Sequence, residues 1–344
     1  MSTSQEFNMP QSNDGRMLRL LASGWIFLLL LVLICIFTGL RPSQFASAYN
    51  MQQLAINAAL ILVLAAGQTY VIIAAGIDLS IGSVLVFCSV VSAQVMLALS
   101  GDSGTTFGTT SAGWGVILIG VFASIVTGIL WGLLNGFLVS VAKIPALIVT
   151  LGTMGMALGG AQILSGGVDV RAMPELLVTE IGSGRLFGIP VLVLIAVVCV
   201  IVAGLVLRFT RFGLHVYAVG SNDEGARRSG IKVTQRMMTV YAISGAMAGI
   251  AAVMANARFA TTTINGHAMD NLTTISAVVL GGTSLFGGSG GIFGTVIGVF
   301  IPIILLNGFV ILGIPPFWQT VAMGAVLILA VWIDQLKRRL RKRG

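Results

Sequence analysis

Apolar stretches of about twenty residues follow one another along almost the whole chain, and about twenty is what an α-helix needs to cross a lipid bilayer. Counted on that length, spans lie near 20–40, 52–75, 79–99, 114–142, 145–165, 190–208, 237–258, 271–285, 290–312 and 317–334. The fold class this predicts is all-α, a polytopic membrane protein of about ten transmembrane helices. Three boundaries are thinly marked. The second and third spans are nearly continuous, the eighth is short, and the ninth and tenth are parted by "GIPPF", whose Pro315 and Pro316 break a helix. Only 9% of residues are charged, against roughly 25% in a soluble domain. The 44 glycines suit helices that approach one another closely in a membrane.

Arg16 and Arg19 precede the first apolar run, and "ASA" at Ala46 to Ala48 imitates a cleavage site. A signal peptide has an apolar core of about 7–15 residues. The run from Leu20 to Leu40 is longer, so it reads as a retained first helix. Residues 1–19 then form a cytoplasmic tail, 20–336 one transmembrane domain with a cytoplasmic loop at 209–236, and 337–344 a basic cytoplasmic tail. Of the 19 Lys and Arg, four (Arg41, Arg171, Arg185 and Arg258) fall outside on this count and the other fifteen inside. That asymmetry is what the positive-inside rule predicts with both termini in the cytoplasm. The net charge of +8 is therefore a matter of membrane orientation, and no basic surface for nucleic acid is present. Cys35, Cys88 and Cys199 lie singly in apolar runs, which excludes a disulfide framework or a cysteine metal site.

The chain echoes itself. "LLNGFLVSVAKIPALIVTLG" at 133–152 matches "LLNGFVILGIPPFWQTVAMG" at 305–324, each copy running off one span into the next. An offset of five crossings is odd, so the copies lie in opposite orientations, the inverted-repeat arrangement of transporters with the pathway between the repeats. Chance likeness of two Leu/Val/Gly-rich stretches is the alternative, against which stand the shared Asn-Gly and Ile-Pro.

The single substantial cytoplasmic loop ends in a short helix signal. Ser221 and Asn222 are N-cap residues, "DEGARRS" follows with acids first and arginines later, and Gly230 offers a stop. Such a helix is either a docking element or a solvated connector. No G-x-x-x-x-G-K-[ST] loop occurs, and "GGTSLFGGSGGIFG" lacks the lysine of a phosphate cradle, so it reads as a close-packed turn. No cofactor and no catalytic constellation are expected.

Asp78 in "GIDLSIGS" is the acid that most needs explaining, because a carboxylate at the bilayer centre costs about 2.5–3.5 kcal/mol. It falls at the junction of the second and third spans, where Asp78 or Ser80 can cap the third helix. A direct part in gating or in the pathway is compatible with that role. Asn57, Gln68, Asn135 and Asn307 either line a path for a hydroxyl-rich solute or bond helices together. His267 and Asp270 read as an ordinary pair in an outside loop, and His215 as packing beside the cytoplasmic segment.

"GSNDEGARRSGI" after "TRFGLHVYAVG" resembles the cytoplasmic coupling motif of permease subunits in bacterial ATP-binding-cassette sugar importers of the ribose type. "GIDLSIGS", "GLLNGFLV", "IPALIVTLGTM", "VVLGGTSLFGGSGGIFGT" and "PPFWQ" are similar to stretches of the same family, in the same order and over nearly the whole chain. This chain departs by having Gly225 where the family usually has alanine, a loosening of roughly 1 kcal/mol. The resemblance implies an inner-membrane complex: two permease subunits, identical or different, two ATPase subunits beneath them, and a periplasmic sugar-binding protein. Gly220, Asn222, Glu224, Ala226, Arg227, Ser229 and Gly230 would then form the helix seated in the ATPase, and the chain itself would move a monosaccharide or similar neutral solute. Competing readings are an ion-coupled transporter centred on Asp78, a membrane-embedded enzyme, and an importer permease for nucleosides or branched-chain amino acids.

Overall fold

A computed structural model describes residues 13–101, 110–267 and 269–341. The apolar runs fold as helices because a segment with no water to bond its backbone must satisfy those groups internally. In chain order they are α1 (Asn13–Leu40), a short turn α2 (Pro42–Phe45), α3 (Ala48–Ile73), α4 (Ile81–Leu99), α5 (Trp114–Ser140), α6 (Ala146–Ser165) and α7 (Val191–Phe209). There follow α8 (Arg211–Ser221), α9 (Asp223–Arg228), α10 (Val233–Phe259), α11 (Asp270–Leu280), α12 (Ile292–Ile311) and α13 (Pro316–Arg341). A six-residue π-helix (Leu177–Gly182) and a two-stranded hairpin, Arg185–Leu186 against Ile189–Pro190, precede α7. Local chemistry sets the ends: Ser47 Oγ accepts from Asn50 N at 3.2 Å to start α3, Pro145 and Pro190 stand at the N-caps of α6 and α7, and Gly166 stops α6 with φ +66°.

Among the described residues seven helices, α3, α4, α5, α6, α7, α10 and α12, are long and apolar enough to span a membrane alone. The order of elements occurs twice. α3, an unwound segment, α4, α5 and α6 are answered by α10, an unwound segment, α11, α12 and α13. The packing follows the same plan: α3 lies on α10, α5 on α10 as α12 lies on α3, and α4 on α6 as α11 lies on α13. The two Leu-Leu-Asn-Gly-Phe copies sit near the ends of α5 and α12.

Two expectations need correction. The eighth span is not a full helix, for α11 has 11 residues and rises about 16 Å, roughly half of the hydrocarbon thickness. The described residues flanking it, 260–267 and 281–291, are not helical. The connection between the second and third spans is not tight either: seven residues, Ala74 to Ser80, are unwound there, most of them buried.

The centre of the molecule is α3, the most enclosed of the spans. The most extensive seam is α5 against α10. A Cβ on Gly128 would lie 2.0 Å from the Gly245 carbonyl oxygen, one on Gly132 2.1 Å from that of Tyr241, and one on Gly245 1.9 Å from that of Gly128. Helix backbones therefore touch, as small residues permit in membranes. Leu118, Phe122, Leu130 and Phe137 of α5 point away from the protein, toward the lipid.

Candidate functional site

The unwound residues 74–80 begin where Ala75 takes φ +59° and the Gly76 N–H bonds back to the Val71 carbonyl at 2.8 Å. Beyond that point the backbone has no helix to satisfy it, and three side chains from three helices do so instead. Tyr241 of α10 donates its hydroxyl to the Ile77 carbonyl at 3.1 Å, Gln68 of α3 its amide to the Asp78 carbonyl at 3.1 Å, and Asn271 of α11 its amide to the Leu79 carbonyl at 3.2 Å. Gly76 leaves room for this arrangement, since a Cβ there would sit 3.0 Å from the Tyr241 hydroxyl.

The Asp78 carboxylate closes the segment. Its Oδ1 accepts from the Ser80 N–H at 2.9 Å and the Ser80 hydroxyl at 2.6 Å, and its Oδ2 from the Ser244 hydroxyl of α10 at 3.1 Å. Asn135 of α5 donates to the Ser80 hydroxyl at 2.9 Å. The capping expectation is thus modified. Asp78 binds the N–H of Ser80 itself, forming an Asx-type turn just ahead of α4, and the Ser80 side chain caps no helix N–H. The negative group still lies at the positive end of α4, where the helix dipole favours it. The ion pairs among the described residues are Arg228–Glu224 and His267–Asp270, so Asp78 is held by hydroxyl and amide donors alone. The Gln68 Oε1 and Asn135 Oδ1 atoms are buried beside this cluster without a partner in the structure.

Of the pathway candidates, Gln68, Asp78, Ser80 and Asn135 are therefore brought together, and Asn57 and Asn307 are not. Asn57 accepts from the half-buried Arg258 at 2.6 Å. Asn307 exchanges a pair of amide hydrogen bonds with Asn50 near the start of α3, at 2.8 and 3.1 Å. Asn135 and Asn307 occupy matching places in the repeats yet meet different partners. Tyr241, Ser244 and Asn271 went unremarked in the sequence, where a serine and a tyrosine in a Gly/Ala-rich helix carry no signal of their own.

In the second unwound segment Thr262, Ile264 and His267 are buried while Asn265, Gly266 and Met269 are exposed, and the expected His267–Asp270 pair is present. His267 is buried, with its Nδ1 2.7 Å from Asp270 Oδ2 at the start of α11. Its carbonyl lies 2.9 Å from where a Cβ on Gly82 would be. The N-terminal ends of α4 and α11 therefore abut.

On the face where α7 ends, α8 and α9 form the loop. α8, not anticipated from sequence, starts at Thr210, whose Oγ1 accepts from Gly213 N at 3.2 Å, and buries Gly213, Val216, Val219 and Gly220. α9 is the expected short helix. Asn222 Oδ1 caps it by accepting from Gly225 N at 2.9 Å, Glu224 pairs with Arg228 at 3.1 Å, the Ser229 hydroxyl bonds the Gly225 carbonyl at 3.0 Å, and Gly230 ends it at φ +82°. Ala226 is the one buried residue of α9; Asn222, Glu224, Arg227, Arg228 and Ser229 stand exposed. His215 has a buried Nδ1 with no partner in the structure. No cluster of three or more His, Cys, Asp or Glu able to hold a metal occurs among the described residues.

Residues 50–331 match the family described as the permease component of branched-chain amino acid transport systems. The ribose import permease of Escherichia coli strain K12 is 33% identical over 339 residues, 95% of this chain and 99% of that one. The D-allose transport permease of the same strain is 32% identical over 311 residues, 90% of each chain. The fructose import permease of Rhizobium meliloti is 32% identical over 322 residues, 91% of this chain and 85% of that one. No solved structure matches the chain. A multi-pass helical membrane protein related to sugar permeases over nine-tenths of its length or more, this chain belongs to that family of transport permease components.

Proposed function

We propose that this chain is the membrane-spanning permease subunit of an ATP-binding-cassette importer that carries a monosaccharide into the cell. The relatives' names supply the solute class, and α9 supplies the physical argument: a capped helix of six residues projecting nearly all of its surface from a buried foot at Ala226. Nothing in the chain itself requires that projection, and a separate ATPase gives it a purpose. Gly220, Asn222, Glu224, Ala226, Arg227, Ser229 and Gly230 then form the docking unit, on the cytoplasmic side with both termini. A second permease completes the pathway, a sugar-binding protein loads it from the periplasm, and the driving chemistry belongs to the ATPase.

Around the unwound segment, the partnerless carbonyl oxygens of Gln68 and Asn135 suit a solute rich in hydroxyl donors and without fixed charge. An ion-coupled mechanism centred on Asp78 has less support, because three donors already satisfy that carboxylate. The test is co-purification in nanodiscs with the partner ATPase, native against Glu224→Arg, followed by uptake of ribose, allose, xylose and fructose in proteoliposomes. Retention of the ATPase by the native chain, its release by the reversed charge and ATP-dependent uptake of one of these sugars are expected. An ATPase that binds neither version, or uptake that needs an ion gradient and no ATP, overturns the proposal.

A further inference from the structure

The glycine-rich stretch between α11 and α12 is longer than a turn there requires. The two helices already touch at their facing ends, since a Cβ on Gly294 would lie 2.0 Å from the Gly281 carbonyl oxygen. Helix–helix connections usually take about 2–8 residues, and this one takes eleven, 281–291. The extra length makes a detour. It folds on itself through Gly287 N to the Ser284 carbonyl at 3.0 Å and Ser284 N to the Ser289 carbonyl at 3.1 Å, with positive φ at Gly287, Gly288 and Gly290.

The tip of the detour is wedged between α8 and the end of α3. On the α8 side, Tyr217 donates its hydroxyl to the Gly290 carbonyl at 2.8 Å, a Cβ on Gly288 would lie 2.4 Å from Ser221 Oγ, and a Cβ on Gly287 would lie 2.6 Å from the Gly220 carbonyl oxygen. On the α3 side, Gly288 N donates to the Ile73 carbonyl at 2.9 Å, and a Cβ on Gly287 would lie 2.7 Å from that of Ala75. α8 and α3 also meet directly, with a Cβ on Gly220 only 1.7 Å from the Ile73 carbonyl oxygen.

We propose that this glycine loop is the transmission element of the permease: it carries displacement of α8 and α9 to the end of α3 and so to the Asp78 segment. Beside the Tyr217 hydroxyl and Ser221 Oγ, the junction is backbone against backbone at Gly220, Gly287, Gly288 and Ile73, which leaves little for side-chain rotamers to absorb; packed contacts of that kind transmit strain. Ile73 is the last residue of α3, so its carbonyl has no helical partner of its own and takes the loop's N–H instead. Ala74 and Ala75 follow at once, and then the residues pinned by Tyr241, Gln68 and Asn271. A tilt of α8 is passed to the unwound segment within a few residues. Gly220, Tyr217 and Gly288 are positioning residues on this route, and they touch no substrate.

The inference rests on α9 being the ATPase-docking helix, and the experiment separates the two. The complete importer, with its ATPase and sugar-binding protein, is reconstituted in proteoliposomes, and sugar moved per ATP hydrolysed is measured beside ATPase retention. Tyr217→Phe adds no atom and deletes one exposed hydroxyl, so the fold persists; sugar per ATP is expected to fall about fivefold, the equivalent of one hydrogen bond. Gly288→Ala is expected to lower it roughly tenfold or more, through a left-handed alanine and the clash with Ser221, while hydrolysis continues. Adding Ser221→Gly removes the clash and restores part of the loss. Native sugar per ATP in both single variants overturns the transmission role and leaves α9 as the docking helix. Loss of ATPase binding in Tyr217→Phe overturns it too, since the loop would then shape the docking surface. A native complex that never retains the ATPase fails earlier and refutes the functional reading itself. If Gly288→Ala does not fold, Tyr217→Phe decides.

Discussion

The bond between Asp78 and Ser244 ties the unwound segment to α10, and a double-mutant cycle measures it free of the cost of burying the acid. Ser244→Ala leaves Asp78 Oδ2 without a donor in a site where Asp78 is 3% exposed. Stranding one buried acceptor costs about 1–3 kcal/mol. With Asp78→Ala already present the same change removes nothing of value, because the Ser244 hydroxyl then turns back to the carbonyl four residues earlier on its own helix. The two single changes are therefore expected to be non-additive. Hydrogen bonds to a charge reach about 1.5–3 kcal/mol in general, but those measured between transmembrane helices average about 0.6 and peak near 1.7 kcal/mol. The 3.1 Å separation is long for a hydroxyl donating to a carboxylate, which favours the lower scale. A coupling of about 1 kcal/mol results, with Ser244→Ala costing about 1–2 kcal/mol in the native background. Unfolding in mixed micelles of rising dodecyl sulfate fraction, followed by tryptophan fluorescence, gives the four free energies. Equal costs for Ser244→Ala in both backgrounds, within the roughly 0.3–0.5 kcal/mol expected of independent sites, would refute the reasoning.

Gly245→Ala places a methyl 1.9 Å from the Gly128 carbonyl oxygen and forces α5 from α10; a loss of about 3 kcal/mol or more is expected. Gly152→Ala on α6 meets open space and is expected to stay within about 0.5 kcal/mol of native, both read from thermal denaturation in detergent. Asn222→Ala removes the cap on Gly225 N and is expected to weaken α9 by about 1 kcal/mol, seen as faster amide hydrogen exchange at residues 223–228 with the spans unchanged. Asn57→Ala strips the half-buried Arg258 of its amide acceptor at about 1–2 kcal/mol, and Arg258→Ala in that background recovers part of the loss in the same unfolding assay.

Spans and the short helix α9 were legible in the sequence for a simple reason: length and caps are local properties. The apolar runs place α5 and α10 within a few residues of their observed bounds, and Asn222 followed by acids, arginines and Gly230 marks α9. Facing was not legible, because lipid removes the polar side that would mark it. α5 shows the inversion, with Gly128, Gly132 and Gly136 buried while Leu130 and Phe137 face outward. α8 was missed although its buried residues, Gly213, Val216, Val219 and Gly220, recur at helical spacing; its two glycines in eleven residues lower helix propensity and made the segment read as loop. α11 has apolar residues enough for a short span, and its unwound flanks are set by contacts with α4, α8 and α3 that no local pattern encodes. Asp78 was visible from its chemistry alone, whereas Ser244, 166 residues away, becomes its partner only through the α3–α10 packing.

The paired interruptions connect the two halves of the permease. Each follows the first long helix of its repeat, and each has an acid by the positive start of the next helix, Asp78 within the first interruption and Asp270 just after the second. The first interruption hangs from the face that carries α8 and α9, through Ile73 and the glycine loop. The second begins at the far end of α10, beyond Arg258. Between them, Gly82 at the start of α4 lies against the His267 carbonyl and the Asn271 backbone nitrogen, and the Asn271 side chain reaches from α11 to the Leu79 carbonyl. A helix of nineteen residues and one of eleven thus share one junction inside the protein. On the proposed transmission route, the end of α3 leads to α4 through the unwound segment, and α4 meets the start of α11 at Gly82. The Asp78 segment and the start of α11 are thereby joined through the first residues of α4, so the two interruptions meet inside the protein rather than at separate surfaces.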